Sequence, residues 1–301
     1  MRKLFASFLL AWLVSATPTV AQTARDKIGV ALGSPDTTGP MGNQSKLLEA
    51  LRYLGVTMVR VRAPILGTDS YRRIHTPLAI AGFKFVFTHA PDRDPVTEVA
   101  AMKALEAIMP GCVIGYEGPN EPDLNPVTFA GITDPRLGVR TGNGYAALAL
   151  QRAQWSELRK VWPAKRVPML AFNDWMHRQQ SPMADLANSH IYPSGTAIAP
   201  RMAGFGHLVT AIGKPQGVIT EWGYHNLIGS KRAAVGITLT QAATNYTADI
   251  PTLVNDPKVR WAFAFTLVDG YNKTSEQSNF GLFNSDWTPK PAAHAMRRAL
   301  W

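Results

Sequence analysis

Short apolar, β-branched or aromatic runs recur along the chain. Each is bounded by Gly, Pro, Asn or Asp and leads through a polar loop into a longer amphipathic stretch. Eight runs have strand length and strand boundaries: 27–32, 57–62, 84–88, 112–116, 167–172, 187–191, 216–220 and 260–267. Between them the apolar period changes. Leu47, Leu48, Leu51 and Leu54 recur at helical spacing in 44–54, and Val99, Met102, Leu105 and Ile108 do so in 96–109. Stretches 145–162, 201–212, 240–254 and 291–300 predict further helices. Strict alternation of strand and helix implies parallel strands. Eight such units predict an α/β fold of the (β/α)8 TIM-barrel type. An open doubly wound sheet would need fewer strands and usually a Gly-rich first turn, and Gly33-Ser34-Pro35-Asp36 is no dinucleotide fingerprint.

The start of the chain stands outside this pattern. Arg2 and Lys3 precede an apolar run from Leu4 to Val14, and Thr19-Val20-Ala21 supplies small residues before Gln22. This is the layout of a signal peptide, and the run is short for a membrane span. The expectation is a signal peptide over 1–21 and one catalytic domain over 22–301, exported to the periplasm or the medium, monomeric and without stable membrane insertion. No Pro-rich, Ser-rich or charged linker divides the domain. The single cysteine, Cys112, lies in an apolar run and reads as a buried strand residue, so the core must supply stability without an internal disulfide. Charged residues are 17% of the chain and hydrophobic ones 46%, which excludes a disordered or coiled-coil protein. The formal charge of +10 comes from scattered Lys and Arg, with no run of five and no nucleic-acid motif. Charge scattered in this way suits general solubility and attraction to acidic surfaces. The histidines show no zinc spacing and there is no phosphate loop, so neither metal nor cofactor is expected.

In a barrel the active site lies at the C-terminal ends of the strands. The fourth run ends in Tyr116-Glu117-Gly118-Pro119-Asn120-Glu121-Pro122-Asp123 and the seventh in Val218-Ile219-Thr220-Glu221-Trp222-Gly223. Pro122 restricts the backbone of Glu121 to extended or turn conformations. Either glutamate alone could be a loop residue; together they resemble the clan of retaining (β/α)8 glycosidases. That clan carries its acid/base in an Asn-Glu motif after strand four and its nucleophile after strand seven. The resemblance implies Glu121 as acid/base and Glu221 as nucleophile. It extends to Leu54-Gly55-Val56-Thr57-Met58-Val59-Arg60, whose arginine would support the nucleophile, and to Ser189-His190-Ile191-Tyr192-Pro193. The closing segments Phe265-Thr266-Leu267-Val268-Asp269, Asn279-Phe280-Gly281-Leu282-Phe283 and Thr288-Pro289-Lys290-Pro291 are similar to those of xylosidase-like and endoglycosidase members. The acid/base motif departs from many members in having Pro119 where they have an aromatic residue.

Further strand-end residues are candidates for binding or support: His89, Asn120, Asn173 with Asp174, Trp175, His190, Tyr192, Trp222, Asp269 and Tyr271. The tryptophans and Tyr271 could stack on a pyranose face. Arg60 and Tyr192 would keep Glu221 anionic, while the charge of Glu221 and loss of water would raise the pKa of Glu121. The expected function is retaining hydrolysis of a β-linked oligo- or polysaccharide. The alternatives are a non-catalytic polysaccharide-binding barrel of the envelope, disfavoured by both glutamates being present with Arg60 and Tyr192, and a basic envelope protein, disfavoured by the scattered charge.

Overall fold

The computed structural model describes residues 23–33, 36–89, 93–172, 176–230 and 235–301. The expected signal peptide and the candidates Asn173, Asp174 and Trp175 lie outside them. Eight parallel strands make the sheet: β1 (Ile28–Gly33), β2 (Met58–Arg62), β3 (Lys84–His89), β4 (Val113–Pro119), β5 (Met169–Leu170), β6 (Ala187–Ile191), β7 (Gly217–Trp222) and β8 (Val259–Phe265). Their hydrogen-bonded order is β5-β4-β3-β2-β1-β8-β7-β6. A parallel bridge from Leu170 to Leu186, with Ala171 N donating to Leu186 O at 3.0 Å, joins β5 to the residue preceding β6 and closes the ring.

A helix follows every strand: α1 (Gln44–Leu54), α2 (Thr76–Ile80), α3 (Pro95–Ile108), α4 (Tyr145–Val161), α5 (His177–Gln180), α6 (Ala199–Ala211), α7 (Leu239–Asn255) and α8 (Pro291–Leu300). Local chemistry sets their ends. Asn43 caps α1 by accepting from Lys46 N at 3.1 Å, and Gly55 ends it at φ 80°, where a side chain would be strained. The loop between β4 and α4 carries a small hairpin (Thr128–Phe129 with Ile132–Thr133) and is pinned to its helix by Asp134, which accepts from Ala146 N and Ala147 N at 2.9 and 2.7 Å. Among the described residues no helix is long and apolar enough to cross a membrane.

Side chains alternate between two cores. The larger lies between sheet and helices and takes Leu47, Leu51, Phe85, Phe87 and Met296, among others. The smaller fills the barrel floor with Ala31, Met58, Val86, Leu170, Leu186, Val218, Trp261 and Phe263. Cys112 is buried as expected, and burial and the adjacent Glu106 carboxylate push its thiol up to about 12. Above the apolar floor the same inward rows turn polar, with Arg60, Glu117, Asn188 and Thr220 all buried.

Candidate active site

The alternation that puts Met58 in the floor puts Arg60 inward two residues higher. Its side chain is 2% exposed and every bond it makes is to the site. Nε donates to Glu117 Oε2 at 2.6 Å, Nη2 donates to Glu117 Oε1 at 2.9 Å and to Asn120 Oδ1 at 2.6 Å, and Nη1 donates to Glu221 Oε1. The expected support of Glu221 by Arg60 is therefore present, but it is shared. Glu117 grips the other edge of the guanidinium and also accepts from Asn188 Nδ2 at 2.9 Å. Burial alone would raise the pKa of Glu117. Arg60 and His190 outweigh it and hold the carboxyl at about 2, so Glu117 is a fixed anion.

A bulge aims Glu221. Ala262 and Ala264 of β8 pair with Ile219 and Trp222 of β7, so β7 holds one residue more than β8 over this step. The extra residue lets Thr220 and Glu221 both face the interior, which regular alternation would forbid. The Tyr192 hydroxyl donates to Glu221 Oε2. Burial and the Glu221 charge push the Tyr192 pKa well above the usual phenol range, so it stays a donor. Phe265 and Phe280 hold the Tyr192 ring edge-on at centroid distances of 6.2 and 5.3 Å.

Glu121 follows β4 directly. Its backbone is left-handed, φ 45°, and its carbonyl accepts from Leu124 N and Asn125 N at 2.9 and 2.8 Å. Such a conformation costs on the order of 1–3 kcal/mol in a non-glycine residue and persists only where the surroundings enforce it. Here the turn closed by Leu124 N and Asn125 N enforces it.

His190, inward by alternation with Asn188, stands among three carboxylates. Nδ1 is 3.0 Å from Glu121 Oε1 and 3.6 Å from Glu221 Oε2, and Nε2 is 3.5 Å from Glu117 Oε1. Burial would lower its pKa, but the Glu221 charge and bonds to Glu117 and Glu121 push it up to about 10. The rise expected for Glu121 belongs to the substrate-filled site; the free site has the opposite sign. Burial does favour neutral Glu121, yet the bond and charge of His190, with help from Arg60, hold Glu121 below the usual carboxylate range. Both shifts favour the proton on the imidazole rather than on Glu121 in the free site.

One oxygen each of Glu121 and Glu221 and one ring nitrogen of His190 lie within 4.8 Å of each other. Ligand types and spacing at this trio would admit a metal ion.

Four other candidates are placed elsewhere. His89 faces the helices with Phe85 and Phe87, and its Nδ1 is 2.8 Å from Glu98 of α3, so it braces strand to helix instead of lining the cleft. Trp222 is fully buried against Tyr246, at 5.8 Å between centroids; with Glu221 turned inward, its neighbour must turn out, and it is no sugar platform. Asp269 is buried and accepts from Lys290 Nζ at 2.8 Å, Lys273 Nζ at 2.9 Å and Gly281 N at 2.8 Å, which ties down the final loop rather than meeting substrate. Tyr271 stands on the rim, 67% exposed, away from the glutamates. Sequence reasoning missed Glu117, Asn188 and Thr220. Their signal was parity, since Glu117 has the inward phase of Gly115, and a polar residue at such a position needs partners.

Solved structures match over most of the chain, and the likeness shows the fold. A glycoside hydrolase family 17 β-1,3-glucanosyltransferase from Rhizomucor miehei matches with TM-score 0.65 at 14% identity, over 89% of this chain and 97% of its own. A family 39 glycoside hydrolase from Bacteroides cellulosilyticus matches with TM-score 0.62 at 13% identity, over 92% and 64%. A β-glucuronidase from Bacteroides uniformis matches with TM-score 0.66 at 14% identity, over 93% of this chain and 35% of its own. No protein-family model matches the chain, and no curated protein matches it in sequence.

Proposed function

We propose that the protein is a retaining glycoside hydrolase that cleaves a β-linked oligo- or polysaccharide, with Glu121 as acid/base and Glu221 as nucleophile. One observation carries the reading: an oxygen of each carboxyl group lies within 4.8 Å of the other across the barrel mouth. Retaining pairs stand about 5–5.5 Å apart, whereas inverting pairs need about 6.5–9.5 Å to admit a water.

Glu221 attacks the anomeric carbon, held in line by Arg60 and Tyr192. As the glycosyl ester forms, Glu221 loses its charge, and Glu117 remains to balance Arg60. The leaving oxygen takes its proton from Glu121, which draws it from His190. In the free site the proton favours the imidazole. Substrate expels water, and in a less polar site the ion pair of His190 and Glu121 becomes costlier than the neutral pair. The proton then crosses their 3.0 Å contact to Glu121 and on to the leaving oxygen. In the second half, water attacks the anomeric carbon of the glycosyl ester, its proton passes to Glu121 and on to His190, and Glu221 leaves as carboxylate. The proposal includes export and a monomeric catalytic domain over 22–301, on the strength of the signal-like residues 1–21.

Chromogenic β-glycosides and cell-envelope polysaccharides supply the test, with products followed by proton NMR. The β-anomer should appear first. An α-anomer appearing first would refute retention. Binding without cleavage across the panel would favour the polysaccharide-binding barrel.

A further inference from the structure

A cavity opens among the segments that follow the strands, at the end of the barrel that carries the glutamates. Its volume is about 730 Å³, within the range of small-molecule sites, and Thr37, Asn43, Gln44, Arg73, Tyr271 and Trp287 contribute to its walls. These residues come from the segments after β1, β2 and β8. In a ring of eight strands β8 stands opposite β4, so the cavity lies across the mouth from Glu121. It is on the side of Glu221, whose strand neighbours β8.

The chemistry of the walls is specific. Tyr271 is a large exposed ring where a packed one would be buried. Trp287 is held at φ 71°, a rare conformation for a bulky residue, with its ring tilted against Phe283 at 6.5 Å. Among the described residues Arg73 is the one charged side chain of the lining. Its Nη2 donates to Gly42 O at 2.8 Å, which fixes the fork. Among the described residues it makes no ion pair. Asp36 and Asp286, next in sequence to lining residues, bond within their own turns and are held anionic by those bonds, so Arg73 is what offsets them in the cavity. Asp36 accepts from Thr38 N and Oγ1 at 2.8 and 2.7 Å, and Asp286 accepts from Thr288 N and Oγ1 at 2.9 and 2.6 Å. Two rings suit sugar faces, and a guanidinium with free N–H groups suits a carboxylate.

We propose that this cavity is a distal glycone subsite for a uronate unit, with Tyr271 and Trp287 taking sugar faces and Arg73 taking the carboxylate. The direction rests on the glycosidase reading: the leaving group lies beside Glu121, so the glycone runs past Glu221 toward β8 and β1. The substrate is then an acidic polysaccharide, cut within the chain.

Affinity electrophoresis through alginate, polygalacturonate and neutral β-glucan tests this without turnover, using Glu221→Gln as host so that no polymer is cleaved. The host should be retarded by a uronate polymer and not by the neutral glucan. Adding Arg73→Gln or Tyr271→Ala should weaken that retardation about tenfold in apparent Kd. Arg72→Gln changes the charge equally one residue away, where the guanidinium is already paired with Asp69 at 2.6 Å, and should leave retardation intact. Equal loss in Arg72→Gln and Arg73→Gln would reduce the effect to general basicity and overturn the proposal. So would retention on the neutral glucan alone, or no retention at all. Arg73-dependent binding in a protein that hydrolyses no glycoside would uphold the cavity's role and refute the catalytic reading.

Discussion

Replacing Glu117 by Gln isolates a buried carboxylate whose partners are Arg60 and the polar groups around it. The two side chains share a shape, so the change removes charge and one acceptor only. Both carboxylate oxygens face donors, Oε1 meeting Arg60 Nη2 and Asn188 Nδ2 and Oε2 meeting Arg60 Nε. Whichever way the new amide turns, its NH2 meets another donor. Breaking a buried pair from one side costs about 3–5 kcal/mol. Linkage gives a similar figure: lowering the carboxyl from 4.5 to about 2 corresponds to about 3 kcal/mol of stability at neutral pH. For a domain of this size that is a fall in Tm of about 5–10 °C. Because the folded pKa is depressed, the contribution is complete above the unfolded value of 4.5 and disappears as pH falls through about 2. Thermal melts of both proteins at pH 7 and pH 3 read this directly. The gap should be wide at pH 7 and less than half as large at pH 3. Activity should also fall, because Arg60 loses the anchor that aims it at Glu221. A gap of under 2 °C at pH 7, or one that does not narrow in acid, would refute the reasoning.

His190→Gln removes the proton store. The wild-type pair keeps one proton until His190 titrates near 10, so the alkaline limb of kcat/KM should lie there; in the variant it should drop to the carboxylate range, and an unmoved limb would sink the proton-store role. Asp249 is raised to about 6 by burial despite bonds from Tyr224 and Ile198 N. A folded pKa above the unfolded 3.8 means stability is lost as pH climbs from there through about 6. Asp249→Asn should therefore raise Tm by about 2–6 °C at pH 8 and not at pH 4, with Tyr224 donating instead to Thr196 O, 3.0 Å away. Equal gains at both pH values would contradict the burial argument.

Periodicity made the barrel legible because every strand has a short, bounded, apolar core. Helices α1 and α8 fall on their expected boundaries, and α3, α4, α6 and α7 are within two residues of theirs. The helix after β2 was not legible because a π-helical segment, Tyr71–His75, runs straight into Thr76–Ile80 and breaks the 3.6-residue period; the helix after β5, His177–Gln180, is too short to show one. Glu121, Glu221, Arg60 and Tyr192 were legible from motif and strand-end position. Trp222 misled because a bulge reversed its face, and a bulge leaves no mark in the apolar pattern. Glu117 hid inside the strand, where burial and pairing depend on partners 57 and 71 residues away in sequence. The proton on His190 was equally out of reach, because it depends on three carboxylates converging in space.

The assignment of Glu121 and Glu221 is tested most directly by chemical rescue, once the substrate panel supplies an activated aryl glycoside. Both Glu121→Ala and Glu221→Ala are assayed with and without azide, and the anomeric configuration of each glycosyl azide is read by NMR. With Glu121 removed, a good leaving group departs unaided, the glycosyl ester accumulates, and azide should release it with retained configuration. With Glu221 removed, azide should enter the vacated face and give the inverted product. The opposite pairing of variants and products would swap the two roles, and full activity in either variant without azide would show that its carboxylate takes no part in the chemistry.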